Sequence, residues 1–435
     1  MSYVIRPMSY VLRPFLIFAQ MKIFKFGGAS VKDAESVRNV ASIIRRFPEE
    51  NIVIIVSAMG KMTNALEVIT QKCFDGEDIS KEIESLRDYH QTIINDLNIR
   101  VKLDYFIDLI IQNSEANKHL SFPLYYDQIV SIGELISSSI LSTYLNSVSL
   151  INEWVDVRDL IQTDDTWRAA VVDWEITSAQ IINTIPDKLK DTHIVTQGFL
   201  GKSNFDYTTT LGREGSDYTG AIFAHILDAE GLWIWKDVPG VLNADPKLFP
   251  DAIKVPELTY YEAIEMTYYG ASVIHPKTIQ PLQQKLIPLY VKSFLDPDLK
   301  GTIIQTNEKY IDYPPVIMYK KNQTLISIVP SLTSFVGEMQ MANIYSIFMK
   351  HKLKINVIQI AAQSVSIVVD YNKYIIEPVI NELKEFYSDV ALKENDNLEL
   401  LTVRHYNAHI LLKLTENKKV VLEQQTRSTV QFLYE

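Results

Sequence analysis

The sequence predicts an α/β protein, with a mainly parallel sheet covered by helices on both faces and a small split βαβ module after it. Three observations carry this. Continuous apolar strands such as residues 51–56 (NIVIIV) alternate with stretches of helical spacing, as in sheets buried on both faces. Polar and glycine-rich clusters follow those strands, where open α/β sheets bind their ligands. Beyond Tyr313-Pro314-Pro315 the order becomes strand, helix, strand, strand, helix, strand.

In chain order, residues 22–26 (KIFKF) form a short strand running into Gly27-Gly28-Ala29-Ser30, and a helix follows with Val37, Val40, Ala41 and Ile44 on one face. The strand 51–56 ends in Ser57-Ala58-Met59-Gly60-Lys61-Met62-Thr63 before another helix, and residues 82–120 are helical. Residues 127–145 are expected to form one strong helix, with Ile132, Leu135, Ile136 and Ile140 as its buried stripe and Glu134 beside Gly133. Strands are expected at 150–154, at 193–201 (HIVTQGFLG) and at 232–235, and helices at 221–227 and 257–269, the latter stopped by Gly270. In the tail, strands are expected at 325–329, 355–360, 365–369, 398–403, 420–423 and 429–433, with helices at 335–351 and 375–387.

The 435 residues are 47% hydrophobic and 22% charged, enough for large cores in two or three domains. A net charge of -11 argues against nucleic acid or an anionic membrane as a general partner and leaves small ligands. Cys73 is the single cysteine, which excludes an internal disulfide and a cysteine zinc site and fits a reducing cytoplasm. Residues 1–20 carry a near-repeat, MSYVIRP then MSYVLRP, and are expected to be a dispensable extension with Met21 as an alternative start. No segment is long and apolar enough to span a bilayer.

Four polar clusters stand at strand ends: Lys25 with Gly27-Gly28, Ser57 with Thr63, residues 213–217, and residues 236–240. Adjacent glycines let the backbone approach a phosphate, and Lys25 brings an ammonium to the same anion. Taken alone, a Gly-Gly after a strand is most often a tight turn. In residues 211–220 (LGREGSDYTG) a helix start supplies N–H groups and Arg213 a permanent cation, while Ser216 or Asp217 would serve equally as a helix cap. His275 has no second ligand at metal spacing, so a structural role before Pro276 is expected and no metal ligand set is assigned.

Lys25-Phe26-Gly27-Gly28-Ala29-Ser30, Val56-Ser57-Ala58 with Thr63, Gly133-Glu134, the 199–220 block, Lys236-Asp237-Val238-Pro239-Gly240 and the 270–276 box, in this order, resemble aspartate kinases of the amino-acid kinase superfamily. The resemblance covers nearly all of residues 21–304. It implies a three-layer αβα sandwich at 21–309, a linker at 310–315, and an ACT-type (βαββαβ) regulatory domain at 316–435. It also implies transfer of the γ-phosphoryl group of ATP, with Mg²⁺, to the β-carboxylate of L-aspartate, at the head of the lysine, threonine and methionine branch. Glutamate or acetylglutamate kinase activity, and a catalytically silent amino-acid sensor, are the alternatives. A carboxylate of pKa ~3.9 needs no general base, so the obstacle is repulsion between two anions.

By the same resemblance, Lys25 neutralises the transferring group, Asp217 orients Lys25, Arg213 holds the α-carboxylate and Glu134 the α-ammonium. Ser57, Thr63, Phe199 and Ser216 line the aspartate site. Gly27, Gly28, Ser30, Lys236, Asp237, Leu242, Lys247 and Ser272 serve the nucleotide. Lys236 and Leu242 stand where many relatives have a threonine or serine and an aromatic, and Ser272 lies in a box where many carry lysine, a contact Lys277 could supply. The tail implies a homodimer and a lysine or threonine effector, with Asn356, Ser366 and Asp370 as weak effector candidates. Leu353 and Ala361-Ala362-Gln363 depart from the usual ACT pattern, and the tail is short for two complete modules.

Overall fold

A computed structural model describes residues 21–117, 119–271, 274–307, 309–330, 337–386 and 390–435. The chain divides into two compact units, residues up to 237 with 284–290, and residues 238–283 with 291–435. The first division thus follows Asp237; residues 310–315, expected as a linker, form no helix or strand and lie inside the second unit. The expected extension 1–20 lies outside the described residues.

The first unit opens with β1 (Met21–Phe26), buried at every position. Helix α1 (Ala34–Ile44) is capped by Asp33, whose carboxylate accepts from the Ser36 N–H. Then come β2 (Asn51–Val56), α2 (Met62–Asp75), α3 (Ser80–Asp96) and α4 (Leu103–Ala116). The helix expected over 127–145 is two: α5 (Phe122–Val130) and α6 (Ile132–Ser147), parted at Ser131. The break lets Gly133 approach α2, where a Cβ would stand 2.8 Å from the Leu66 side chain and 3.2 Å from that of Ala58.

After β3 (Asn152–Val155), β4 (Gln162–Thr163) and α7 (Trp174–Lys188), the expected strand 193–201 is also two elements. β5 (His193–Gln197) belongs to the main sheet, whereas β6 (Leu200–Ser203) joins β4 and β7 (Thr208–Thr210) in a separate three-stranded sheet. The turn between them has Phe199 at φ 75°, a left-handed conformation that its apolar neighbours in sequence conceal. Helix α8 spans Gly215–Ile226, beginning six residues before the expected start, and β8 is Gly231–Lys236. Strands β3-β5-β2-β1-β8 run side by side and parallel. Helix α6 packs on β2, β3 and β5, and α8 on β1, β2 and β8. Tyr290 stacks on Trp233 of β8 at 4.6 Å.

In the second unit the expected helix 257–269 starts as a strand, β9 (Glu257–Thr259), before α9 (Tyr260–Tyr268), and β11 (Thr302–Gln305) pairs in parallel with β9; α10 (Pro276–Lys285) and β10 (Leu289–Ser293) are shared between the units, with residues 284–290 counted in the first. Two 15-residue strands dominate the tail, β12 (Val316–Pro330) and β15 (Val390–Arg404). Between them lie α11 (Glu338–Lys350), β13 (Ile355–Ala361), β14 (Ser364–Asp370) and α12 (Lys373–Phe386), and after them α13 (Ala408–Thr415), β16 (Val420–Gln425) and β17 (Thr429–Tyr434). The antiparallel sheet has the order β13-β14-β12-β15-β17-β16. The ends of the helices expected at 335–351 and 375–387, residues 335–336 and 387, lie outside the described residues.

The far half of β12 with α11, β13, β14, α12 and the start of β15 makes one βαββαβ module around Ile326, Ile328, Phe348, Val365, Ile367 and Leu383. The near half of β12 and the end of β15 join α13, β16 and β17 around Ile317, Leu401, Val403, Val430 and Phe432, so the tail holds more than one module. Leu353 serves the first core. Asn356 and Asp370, expected as weak effector candidates, satisfy each other: Asn356 Nδ2 donates to Asp370 Oδ1 (3.0 Å) and to Gln323 Oε1 (2.8 Å), while Asn356 Oδ1 accepts from Lys320 Nζ (2.8 Å). Ser366 faces Ser327 and Gln359 in the ladders.

Candidate active site

Parallel strands deliver their carboxyl ends to one edge, and there the first unit forms a cleft of about 360 Å³. Lys25 comes from β1, Gly27, Gly28, Ala29 and Ser30 from the turn after it, Ser57 from beyond β2, Thr63 and Glu134 from the first turns of α2 and α6, and Trp235, Lys236 and Asp237 from the end of β8. Gly212, Glu214, Gly215, Ser216 and Asp217 enter from the start of α8 and the loop before it, and Phe199 from the turn between β5 and β6.

Glycine makes the backbone walls meet. A Cβ on Gly28 would fall 2.6 Å from the Ala58 carbonyl oxygen, and the Gly60 N–H donates to the Gly28 carbonyl at 2.9 Å, so the turns after β1 and β2 are zipped together. Ser30 is buried and its hydroxyl donates to the Trp235 carbonyl, tying the first turn to β8.

Asp217 is 3% exposed and sits between two ammonium groups: Lys25 Nζ is 2.6 Å from Oδ1 and Lys236 Nζ 3.8 Å from Oδ2. Burial opposes its ionisation, but Lys25 and Lys236 outweigh that and hold the carboxyl below its ordinary range. Two cations thus flank one buried anion on this part of the wall, while Glu214 and Asp237 add carboxylates elsewhere on the lining. The expectation that Ser216 or Asp217 caps α8 is not met: the cap position is Glu214, left-handed at φ 54°. Thr63 is likewise not a cap, since α2 is preceded by Lys61.

Glu134 is 2% exposed; its Oε1 accepts a long bond from the Ala58 N–H at 3.4 Å, and its Oε2 has no hydrogen-bond partner among the described residues. Burial pushes its pKa up to about 8, against the pull of that N–H and of Lys25. A buried carboxyl with an open oxygen in a cleft is set to receive a donor.

The expected residues Lys25, Gly27, Gly28, Ser30, Ser57, Thr63, Glu134, Phe199, Ser216, Asp217, Lys236 and Asp237 all line this cleft. Arg213 is exposed and lies between two lining residues, Gly212 and Glu214, without lining the wall itself. Leu242, which bridges Lys254, and Lys247 belong to the second unit, and Ser272 lies outside the described residues. Glu214 and Trp235 line the cleft without having been singled out from sequence; the Trp235 ring is stacked on Phe26 with 8° between planes. Among the described residues no group of three or more His, Cys, Asp or Glu side chains is arranged to hold a metal, and no helix is long and apolar enough to cross a membrane. A Mg²⁺ ion, held largely by phosphates and water, needs only one or two carboxylates, which Asp237 and Asp217 on this wall can offer.

Residues 20–293 match the model of the amino acid kinase family. The chain is 31% identical to chloroplastic aspartokinase 1 of Arabidopsis thaliana over 94% of its own length and 77% of that protein's. It superposes on Escherichia coli aspartokinase III in complex with aspartate and ADP with a TM-score of 0.81 at 25% identity, covering 95% of this chain and 96% of the other. The lysine- and aspartate-bound T-state of that enzyme gives 0.77 at 25% identity, covering 95% of both chains. With its strand-end cleft, its paired lysines around one buried aspartate and this likeness along nearly its whole length, the chain belongs to the amino acid kinase family, among the aspartokinases.

Proposed function

We infer that the chain transfers the γ-phosphoryl group of ATP to the β-carboxylate of L-aspartate, giving 4-phospho-L-aspartate for amino-acid biosynthesis. The observation that carries this is the Lys25–Asp217–Lys236 cluster facing Glu134 across one cleft. Both reactants are anions, and the acceptor is already ionised, so the work is charge neutralisation and alignment, not proton abstraction. Lys25 is the cation for the transferring group, and Asp217 holds it in place and charged. Lys236 adds a second cation for the phosphates. The backbone at Gly27-Gly28 and the Ser30 region receives the nucleotide, and Asp237 is the carboxylate that would hold Mg²⁺, whose charge would screen the phosphates of ATP.

Arg213 takes the substrate α-carboxylate and Glu134 its α-ammonium, while Ser57, Thr63, Ser216 and the Phe199 backbone shape the pocket. The open Oε2 of Glu134 supports a free amino acid over an acylated one, which would lack the ammonium. The test is a substrate panel with coupled ADP release: turnover with aspartate and not with glutamate or acetylglutamate is expected, and the reverse preference overturns the assignment.

The two-part ACT-like sheet supports homodimerisation through the tail and amino-acid control by lysine or threonine, as a lysine-bound state of the Escherichia coli enzyme exists. A single cysteine, the buried Cys73, supports a reducing cytoplasm.

A further inference from the structure

Arg213 makes no hydrogen bond or ion pair among the described residues, so only its backbone sets where its side chain leaves the loop. That backbone is unusual: Gly212 before it has φ 79° and Glu214 after it φ 54°, two left-handed residues around one arginine. Downstream the loop is fixed by the Gly215 N–H on the Gly212 carbonyl (3.0 Å) and the Asp217 N–H on that of Glu214 (3.0 Å). Upstream it is fixed by a side chain from α5.

Asp127 is 0% exposed. Its Oδ2 accepts from the N–H groups of Arg168 (3.0 Å) and Thr210 (3.0 Å), and its Oδ1 from the Thr210 hydroxyl (2.7 Å). The neighbouring Gln128 grips the same strand, donating to the Thr208 carbonyl (2.8 Å) and accepting from its N–H (3.1 Å). The Ala170 N–H closes on the Thr210 carbonyl (2.9 Å), and a Cβ at Gly212 would stand 3.1 Å from the Arg168 carbonyl oxygen. Three donors converge on Asp127, and a carboxylate is the side chain that only accepts.

We propose that Asp127 is a positioning residue: by locking Thr210 and the 168–170 turn together it fixes the backbone of residues 211–214 and so directs Arg213 toward the substrate α-carboxylate. This rests on the reading of Arg213 given above. Gln128 reinforces the lock from the same helix and touches no substrate.

The test is steady-state kinetics at neutral pH with aspartate and ATP varied separately, for Arg213→Ala, Asp127→Ala, Asp127→Asn, Thr210→Val and the double variants with Arg213→Ala. Asp127→Ala is expected to raise KM for aspartate about tenfold and to leave KM for ATP within about twofold. Asp127→Asn recovers most of the loss, because its carbonyl can face both N–H groups while the Thr210 hydroxyl turns to accept. In the Arg213→Ala background, Asp127→Ala adds almost nothing, since both act through one contact. Losses that multiply, or an equal rise in both KM values, overturn the proposal. An Arg213→Ala enzyme with unchanged KM for aspartate shows that the reading of Arg213 itself has failed. If Asp127→Ala does not fold, Thr210→Val, which deletes one donor at constant shape, carries the same comparison at about threefold.

Discussion

Glu134 gives the sharpest quantitative expectation. Burial pushes its carboxyl up to about 8 against an ordinary 4.5, a difference worth roughly 5 kcal/mol at ~1.4 kcal/mol per unit. At pH 7 about ten in eleven molecules therefore carry it neutral, whereas the substrate ammonium calls for the anion. Aspartate binding must then release about 0.9 proton at pH 7 and almost none at pH 9, and apparent affinity should rise about ninefold from pH 6 to 7 and about fivefold from 7 to 8 before levelling. Calorimetric titrations with aspartate in two buffers of different ionisation enthalpy count those protons directly. In stability the sign is opposite: between pH 4.5 and about 8 the folded chain binds a proton that the unfolded chain has lost, so the native state weakens as pH rises through that window. Glu134→Gln should remove that slope, melt higher than wild type at pH 8.5, and bind aspartate poorly there. Proton release near zero at pH 7, with affinity flat from pH 6 to 8, would refute the reasoning.

Three further outcomes are expected. Lys25→Ala should lower kcat by about 10²–10³-fold and also lower the melting temperature, because Asp217 stays buried without its nearer cation, and a wild-type rate removes Lys25 from phosphoryl transfer. Gly198→Ala should abolish activity, because the added Cβ would fall 2.4 Å from the Ser216 Cβ and 2.7 Å from its Cα, so α8 must shift; full activity would show that the start of α8 need not be held in place. Arg404 is 2% exposed and donates to both oxygens of Glu262 (2.8 Å each) and to Glu265 (2.7 Å). Burial disfavours the Glu262 anion, but bonds from Arg404 and His405 overcome this and hold it at about 2 against 4.5, stability present above pH 4.5 and lost as pH falls toward 2. Arg404→Met should destabilise the second unit by about 3–5 kcal/mol at pH 7 and flatten that acid limb in thermal melts.

The site was legible because parallel topology sends every strand end to one edge, so Lys25, Ser57 and Asp237 converge without knowledge of side-chain contacts. The break at Ser131 was not, since apolar spacing runs through it unpunctuated and the close approach of Gly133 to the Leu66 side chain joins residues far apart in sequence. The split of 193–201 hid behind an aromatic in a left-handed conformation. Helix α13 is only eight residues long, and although Ile410, Leu411 and Leu414 pack on the second tail core, none of its residues is fully buried. Asp127 sits in an apolar stretch, and its partners lie 41 and 83 residues away, beyond any local pattern.

The two long strands of the tail also carry a consequence for biosynthesis. The near half of β12 is paired with the end of β15, and β15 in turn with β17 at the far end of the sequence. Emerging from the ribosome, the inner βαββαβ piece can close early, while residues 399–404, already able to pair with 316–320, wait with one edge open until 429–434 have been made. Chaperone capture of nascent chains should therefore concentrate on that waiting edge.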